Sequence, residues 1–294
     1  MRKNGVRIDV GAFKAASPER DYWVGMLFAD GCIGRYIVSL SLSSADEKHV
    51  RRFAGFLRMS PMRVTGYPGS NQVSARVSCR PLAEYLGAEF GLVPRKTWCA
   101  VAPSSMLESR DFWRGYIDGD GSISKYRGRK YTSGAATAWA SVQAICHPGS
   151  SLVEQFSAYA KARVDAGRVS VLVSRGGVMT ERSGRTYDYT ANTYKKFTVT
   201  GQAAIKLLSI LYQPGDVALE RKAERARAWI DAPAAPATGF RYSENSSREA
   251  RSREGRLWHA MRSNLTLKTE FRARLQSGED RATLIDHFLA KLER

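Results

Sequence analysis

Apolar and small residues recur at helical spacing between Glu19 and Asp30, where Tyr22, Trp23, Met26, Leu27 and Ala29 fall on related turns. Pro18 suits a first turn, and Gly31 ends the run. "YIVSLSLS", residues 36 to 43, alternates apolar and hydroxyl side chains, which predicts a strand with one greasy and one small polar face. Helical spacing returns in "ADEKHVRRFAGFLRM". "MRVTGY" and "NQVSARVSC" then predict a hairpin across "PGSN", and "RPLAEYLGAEFG" a further helix.

From Arg110 the order restarts. A helix to Asp120 is followed by strand-like "AWASVQAIC", helical "SSLVEQFSAYAKARV", strand-like "RVSVLVS" and "YKKFTVTG", and helical "QAAIKLLSILY". An Arg-Lys pair lies beyond the last helix of each unit, in "LVPRKTW" and "VALERKAER", and anchors the duplication a second time. The predicted repeats are 1–109 and 110–230. The second carries basic or Gly-rich insertions, "SKYRGRKYTSG" and "SRGGVMTERSGRTYDYTANT", read as extended hairpin tips. A Pro/Ala-rich linker, 231–239, leads to a helical C-terminal extension, 240–294, with two predicted helices separated by "SGE" and a suggested role in DNA binding.

Composition narrows the partner. The 294 residues are 43% hydrophobic and 25% charged, as in a globular chain, and the formal net charge of +18 calls for a polyanion. Charge alone does not choose between DNA, RNA and lipid. Cys32, Cys79, Cys99 and Cys146 have no CxxC spacing, which argues against a zinc ribbon or disulfide scaffold and predicts small reduced core residues. No apolar run approaches a membrane span, and the N-terminal stretch lacks the apolar core of a signal peptide. The ends lack the Cys or Ser start and His-Asn finish of an intein. A cytoplasmic, nucleoid-associated setting is expected, and the Ala-, Arg- and Gly-rich composition hints at a GC-rich bacterial or phage genome.

Chemistry enters with the acids that close the two opening helices. A carboxylate in the last turn opposes the helix dipole, so Asp30 and Asp120 are poor choices for an ordinary stop. Gly25 and Ala29, and likewise Gly115 and Gly119, stand at i and i+4 and leave a face nearly free of side chains. Two such faces can cross closely. Parallel packing along them would bring the two carboxylates together, and a divalent cation would relieve their repulsion. Mg²⁺, two or more ions per site, fits a site of few protein carboxylates completed by waters and substrate phosphates. An EF-hand is disfavoured, because the acid spacing and terminal Glu are missing after Asp120.

"WVGMLFADG" and "WRGYIDGDG" resemble the two signature helices of a LAGLIDADG homing endonuclease in its single-chain, two-repeat form, over residues from about Tyr22 to Trp229. The resemblance implies an α+β fold of two pseudo-symmetric αββαββα repeats forming an antiparallel β-saddle over double-stranded DNA, in a monomer with internal pseudo-twofold symmetry. It implies metal-dependent cleavage of both strands, with the last acid of each motif, Asp30 and Asp120, as ligand. Gly31 and Gly121 match the terminal glycine and join the implied metal set; Gly25 and Gly115 match the packing glycine. Lys96 and Lys222 correspond to the basic residue near each cleaved phosphate. The departure is Phe28, opposite Asp118 of the second motif, which leaves Asp118 dispensable for the metal and marks the halves as diverged.

For the DNA surface, the polar strand faces offer Ser39, Ser41, Ser43, Gln72, Ser74, Arg76, Gln143, Lys196 and Thr198, and the long tip offers Arg127, Arg129 and Lys130. The rival reading on the same fold is an intron RNA maturase or a non-cleaving DNA-binding regulator.

Overall fold

The computed structural model describes residues 8–60, 64–66, 70–127, 138–174, 177–180, 186–189, 192–232, 257 and 265–292. The chain divides into two compact units, Met1–Pro233 and Ala234–Arg294.

Within the first unit the order of elements repeats. It opens with α1 (Pro18–Ala29), β1 (Gly31–Ile33), β2 (Ile37–Ser43), α2 (Glu47–Phe56), β3 (Val64–Gly66), β4 (Gln72–Ser78) and α3 (Arg80–Phe90). The second round runs α4 (Arg110–Asp120), β5 (Gly121–Arg127), β6 (Ala138–Cys146), α5 (Leu152–Val164), β7 (Arg168–Ser174), a hairpin of β8 (Gly177–Thr180) and β9 (Thr186–Tyr189), β10 (Asn192–Thr200), α6 (Gly201–Leu211) and α7 (Glu220–Ile230). The antiparallel sheets have orders β1-β2-β4-β3 and β5-β6-β10-β7, the same topology twice. This is an α+β fold with two four-stranded antiparallel sheets.

Period-2 alternation decides which sheet face is covered. Val38, Leu40 and Leu42 of β2, with Val73, Ala75 and Val77 of β4, are buried in a core that includes Val50 and Phe53 of α2 and Leu82, Leu86 and Phe90 of α3. In the other sheet Val142, Ala144, Phe197 and Val199 join that core with Phe156 of α5 and Leu207 and Leu208 of α6. The opposite face of the first sheet pairs Ser39 with Arg76, Ser41 with Ser74, and Ser43 with Gln72. Gln143 opposes Thr198 on the second. The hairpin β8–β9 falls inside the second Gly-rich insertion.

The two sheets are joined through α1 and α4. Both helices start on a serine cap: Ser17 Oγ accepts from Arg20 N at 3.1 Å and Ser109 Oγ from Phe112 N at 3.2 Å. Ser109 Oγ also donates to Asp21 Oδ2 at 2.7 Å, tying the two N-terminal ends together. Farther along, a Cβ on Gly25 would collide with Phe112 O, and a Cβ on Gly115 would collide with Tyr22 O. These contacts mirror each other, since Tyr22 and Phe112, and Gly25 and Gly115, each lie 90 positions apart. Gly119 meets Ala29 toward the C-terminal ends. The helices are therefore parallel and packed backbone on backbone.

The second unit contains helices Leu265–Gln276 and Arg281–Leu292 around Leu257, Leu267, Phe271, Leu284, Phe288 and Leu289. Most of the upstream part of its first expected helix lies outside the described residues, as does most of the linker. No helix among the described residues is long and apolar enough to cross a membrane.

The crossing yields a contrast between glycines. Gly25→Ala or Gly115→Ala should cost about 3 kcal/mol or more in chemical denaturation, because the new methyl faces an unyielding backbone carbonyl. Gly55→Ala, in α2 with open space around its Cα, should instead stabilise by about 0.5 kcal/mol.

Candidate functional site

Each acid stands where a motif helix turns into the first strand of a sheet. Asp30 caps α1 and its N–H donates to Met26 O at 2.9 Å; Asp120 is the last residue of α4. Gly31 and Gly121 follow at once and open β1 and β5. A Cβ at either would press on the preceding helical turn, at Leu27 O or Ile117 O, so close approach rather than an unusual φ requires glycine. Gly119 has a related task across the crossing, since a Cβ there would stand 2.9 Å from Asp30 Oδ2. The carboxylate ending one helix thus rests over bare backbone of the other.

Electrostatics follows from that placement. Burial raises the Asp30 carboxyl above its usual range, while the ammonium groups of Lys222 and Lys96 oppose the shift. Asp120 is pushed up to about 6, first by burial and then by the charge of Asp30, with Lys96 and Lys222 again opposing. Lys96 Nζ donates to Phe28 O at 2.8 Å and Ala29 O at 3.0 Å. Lys222 Nζ, from the first turn of α7, donates to Ile117 O, Asp118 O, Gly119 O and Gly121 O at 2.7, 2.6, 3.2 and 2.8 Å. Each lysine closes the carbonyl end of one motif helix and offsets its dipole there. Burial lowers both amines, that of Lys222 to about 8.

The site also contains groups that motif spacing did not single out. Asp118 is 1% exposed and accepts from Tyr22 Oη, Tyr212 Oη and Leu219 N at 2.8, 2.7 and 2.7 Å. His49 Nε2 lies 2.7 Å from Tyr22 Oη, and burial lowers the imidazole to about 3, so the ring is neutral near pH 7. Phe28, at the matching place in α1, packs edge-on against Phe112 at 5.5 Å. The mismatch of Phe28 and Asp118 was the one sequence signal for this network. Arg114, also 1% exposed, had none; it donates to Val217 O, Leu211 O, Asp216 and Asp111, fastening α4 to the segment before α7.

The polar strand faces are only partly open. Gln72 and Arg76 are exposed, and Gln143 and Lys196 are half-buried, with Lys196 Nζ 3.4 Å from Gln143 Oε1. Ser39 and Ser74 are buried, and Ser41 Oγ donates to Ser74 Oγ at 2.9 Å, so small hydroxyls satisfy one another beneath longer side chains. The Arg127 side chain, Arg129 and Lys130 lie outside the described residues. The cysteines are free thiols, and Cys79 and Cys146 are half-buried against the core, but the expectation of core positions is corrected for Cys32 and Cys99, which are exposed. Cys32 shares the open sheet face, opposite Ser39, and Cys99 lies in the connector after α3.

Among the described residues no group of three or more His, Cys, Asp and Glu side chains gathers. The candidate metal ligands are therefore the pair Asp30 and Asp120, whose carboxylate oxygens have no hydrogen-bond donor among the described residues. Hard oxygen donors with free lone pairs suit Mg²⁺ completed by water and phosphate oxygens.

No protein-family model matches the chain, and no curated protein sequence does. Solved structures similar to it are LAGLIDADG homing endonucleases. I-SmaMI bound to cleaved DNA is 14% identical, with a TM-score of 0.46, over 74% of this chain and 88% of that one. I-SmaMI bound to an uncleaved target in the presence of calcium ions is 14% identical with a TM-score of 0.46, over 74% and 90%. I-AabMI bound to uncleaved DNA is 14% identical with a TM-score of 0.44, over 74% and 90%.

The raised acid has a measurable effect on stability. Asp120 at about 6, against an ordinary 3.8, keeps its proton in the folded chain through a range where the unfolded chain has lost it. Its contribution to stability is therefore lost as pH rises between those values. In metal-free buffer at pH 7.5, Asp120→Asn should be more stable than wild type by about 1–3 kcal/mol in denaturant melts. The difference should shrink toward zero near pH 4.

Proposed function

We propose that this chain is a metal-dependent, site-specific double-strand DNA endonuclease acting as a homing endonuclease. The observation that carries the proposal is the convergence of Asp30 and Asp120 at the ends of two parallel helices, each end capped by a buried lysine. Holding two carboxylates together against burial and mutual repulsion costs stability, and a chain that only bound DNA would gain nothing from it.

Asp30 and Asp120 would hold Mg²⁺, with the Gly31 carbonyl as a further oxygen donor, while the Gly121 carbonyl already accepts from the Lys222 ammonium. The bound cation would activate water and neutralise charge on the scissile phosphate. Lys96 and Lys222 place positive charge beside the acids, where they lower the cost of the carboxylates and of an arriving phosphodiester. Water attacks phosphorus and the bond to the 3′ oxygen breaks, leaving 5′-phosphate and 3′-hydroxyl ends. The glycine crossing brings the two acids to one place, so both strands are addressed from one site region. Gln72, Arg76, Gln143 and Lys196 are the proposed contacts on the open sheet faces, with Arg127, Arg129 and Lys130 reaching from the tip.

The test is cleavage of DNA carrying the uninterrupted insertion site of the gene's own locus, in Mg²⁺. Wild type should cut both strands. Asp120→Asn and Asp30→Asn should bind with unchanged affinity and cut about 1000-fold more slowly. Equal cleavage by wild type and both variants would sink the site assignment. Binding should also weaken steeply with salt, and Arg76→Ala should reduce the slope of log affinity against log salt by about 1.

A further inference from the structure

Asp118 is a buried carboxylate to which the metal site assigns no task. Its Oδ2 accepts from Tyr22 Oη at 2.8 Å and Leu219 N at 2.7 Å, and its Oδ1 from Tyr212 Oη at 2.7 Å. Leu219 is the N-cap residue of α7, and Lys222 lies in the first turn of that helix. The same residue's main-chain oxygen receives Lys222 Nζ at 2.6 Å. Residue 118 thus grips the second lysine twice, by its side chain at the root of α7 and by its carbonyl at the ammonium. Tyr212 and Leu219 bracket the whole segment between α6 and α7, so the grip fixes the path of the chain as well as its end.

Among the described residues the first repeat has no such grip. Phe28 offers no acceptor side chain, and Lys96 belongs to a short 3-10 turn, Lys96–Trp98, with two carbonyl partners against four for Lys222.

We propose that Asp118 is a positioning residue for Lys222, holding the second repeat's ammonium in place through Leu219 and Tyr212, and that Lys96 reaches its place without a counterpart. The kinetic consequence rests on the nuclease reading: cleavage of the strand served by Lys222 depends on Asp118, and cleavage of the other strand does not.

Two readouts separate the ideas. The first needs no catalysis. In reductive methylation of the full chain, with Lys96 and Lys222 quantified from one digest by mass spectrometry, Asp118→Leu should speed modification of Lys222 about 10-fold, since three buried donors lose their acceptor. Lys96 should stay within about twofold, as an internal check on folding. Asp118→Asn can keep its oxygen toward Tyr22 and Leu219 while the Tyr212 hydroxyl turns to accept, and should retain most of the protection. Equal acceleration of both lysines, or none of Lys222, overturns the proposal.

The second readout is cleavage resolved by strand on an end-labelled duplex. Lys222→Met identifies the strand that this lysine serves. Asp118→Leu should slow that strand about 100-fold, leave the other within about threefold, and leave DNA affinity unchanged. Slowing both strands alike also overturns the proposal. If the lysine labelling behaves as expected while wild type cuts neither strand, the nuclease reading fails and the positioning role stands.

Discussion

Contact between two backbones governs this molecule. At Gly25 and Gly115 no side chain separates α1 from α4, and the carbonyls of Phe112 and Tyr22 occupy the space where a Cβ would be. Dispersion at such short range outweighs steric repulsion only where the two main chains are complementary, as the mirrored pairs are. Because the contact is rigid and the helices parallel, it determines where both helices end. Since β1 and β5 begin at the next residues, it also determines where both sheets begin.

That constraint creates an electrostatic problem and a local answer to it. The ends of two helices bring together carbonyl groups of partial negative charge and two carboxylates, a concentration of negative potential inside a chain of net charge +18. The lysines answer by bonding to carbonyls, which leaves the carboxylate oxygens of Asp30 and Asp120 without a hydrogen-bond donor among the described residues. A lysine engaged directly with the acid would stabilise the protein more and occupy the lone pairs a cation needs. The raised carboxyls and lowered amines record the same compromise.

Much of the architecture was legible because long-period signals were doubled. The motif helices, the strand "AWASVQAIC" and the hairpin of β3 and β4 all carry periodicity over several residues. Strands β1 and β5 leave little trace in the sequence because they start on the glycine that also ends the helix, so a single residue serves two elements. Helix α7 is equally hard to read because its buried face is formed by alanines and the stem of Lys222, a pattern that looks polar in the sequence. The acids could be found from their misfit with the helix dipole. The buried network could not, since its members Tyr22, His49, Asp118 and Tyr212 are far apart in sequence and only Asp118 stands out, as the counterpart of Phe28 in the other motif. Alternation correctly separated the faces of the first sheet but said nothing of depth, and so Ser39 and Ser74 looked as open as Gln72.

The covalent link between the repeats changes what mutation can do to them. In an assembly of two identical chains, any substitution is made at both symmetry-related places and must be tolerated at both. Here Phe28 and Asp118 occupy equivalent positions with unrelated chemistry, one in an aromatic contact and the other at the centre of three hydrogen bonds. Within one chain, a hydrogen-bond network can settle one half of the shared interface while an aromatic contact settles the other. The duplicated helix is thus both the source of the symmetry and the means of departing from it, one half at a time.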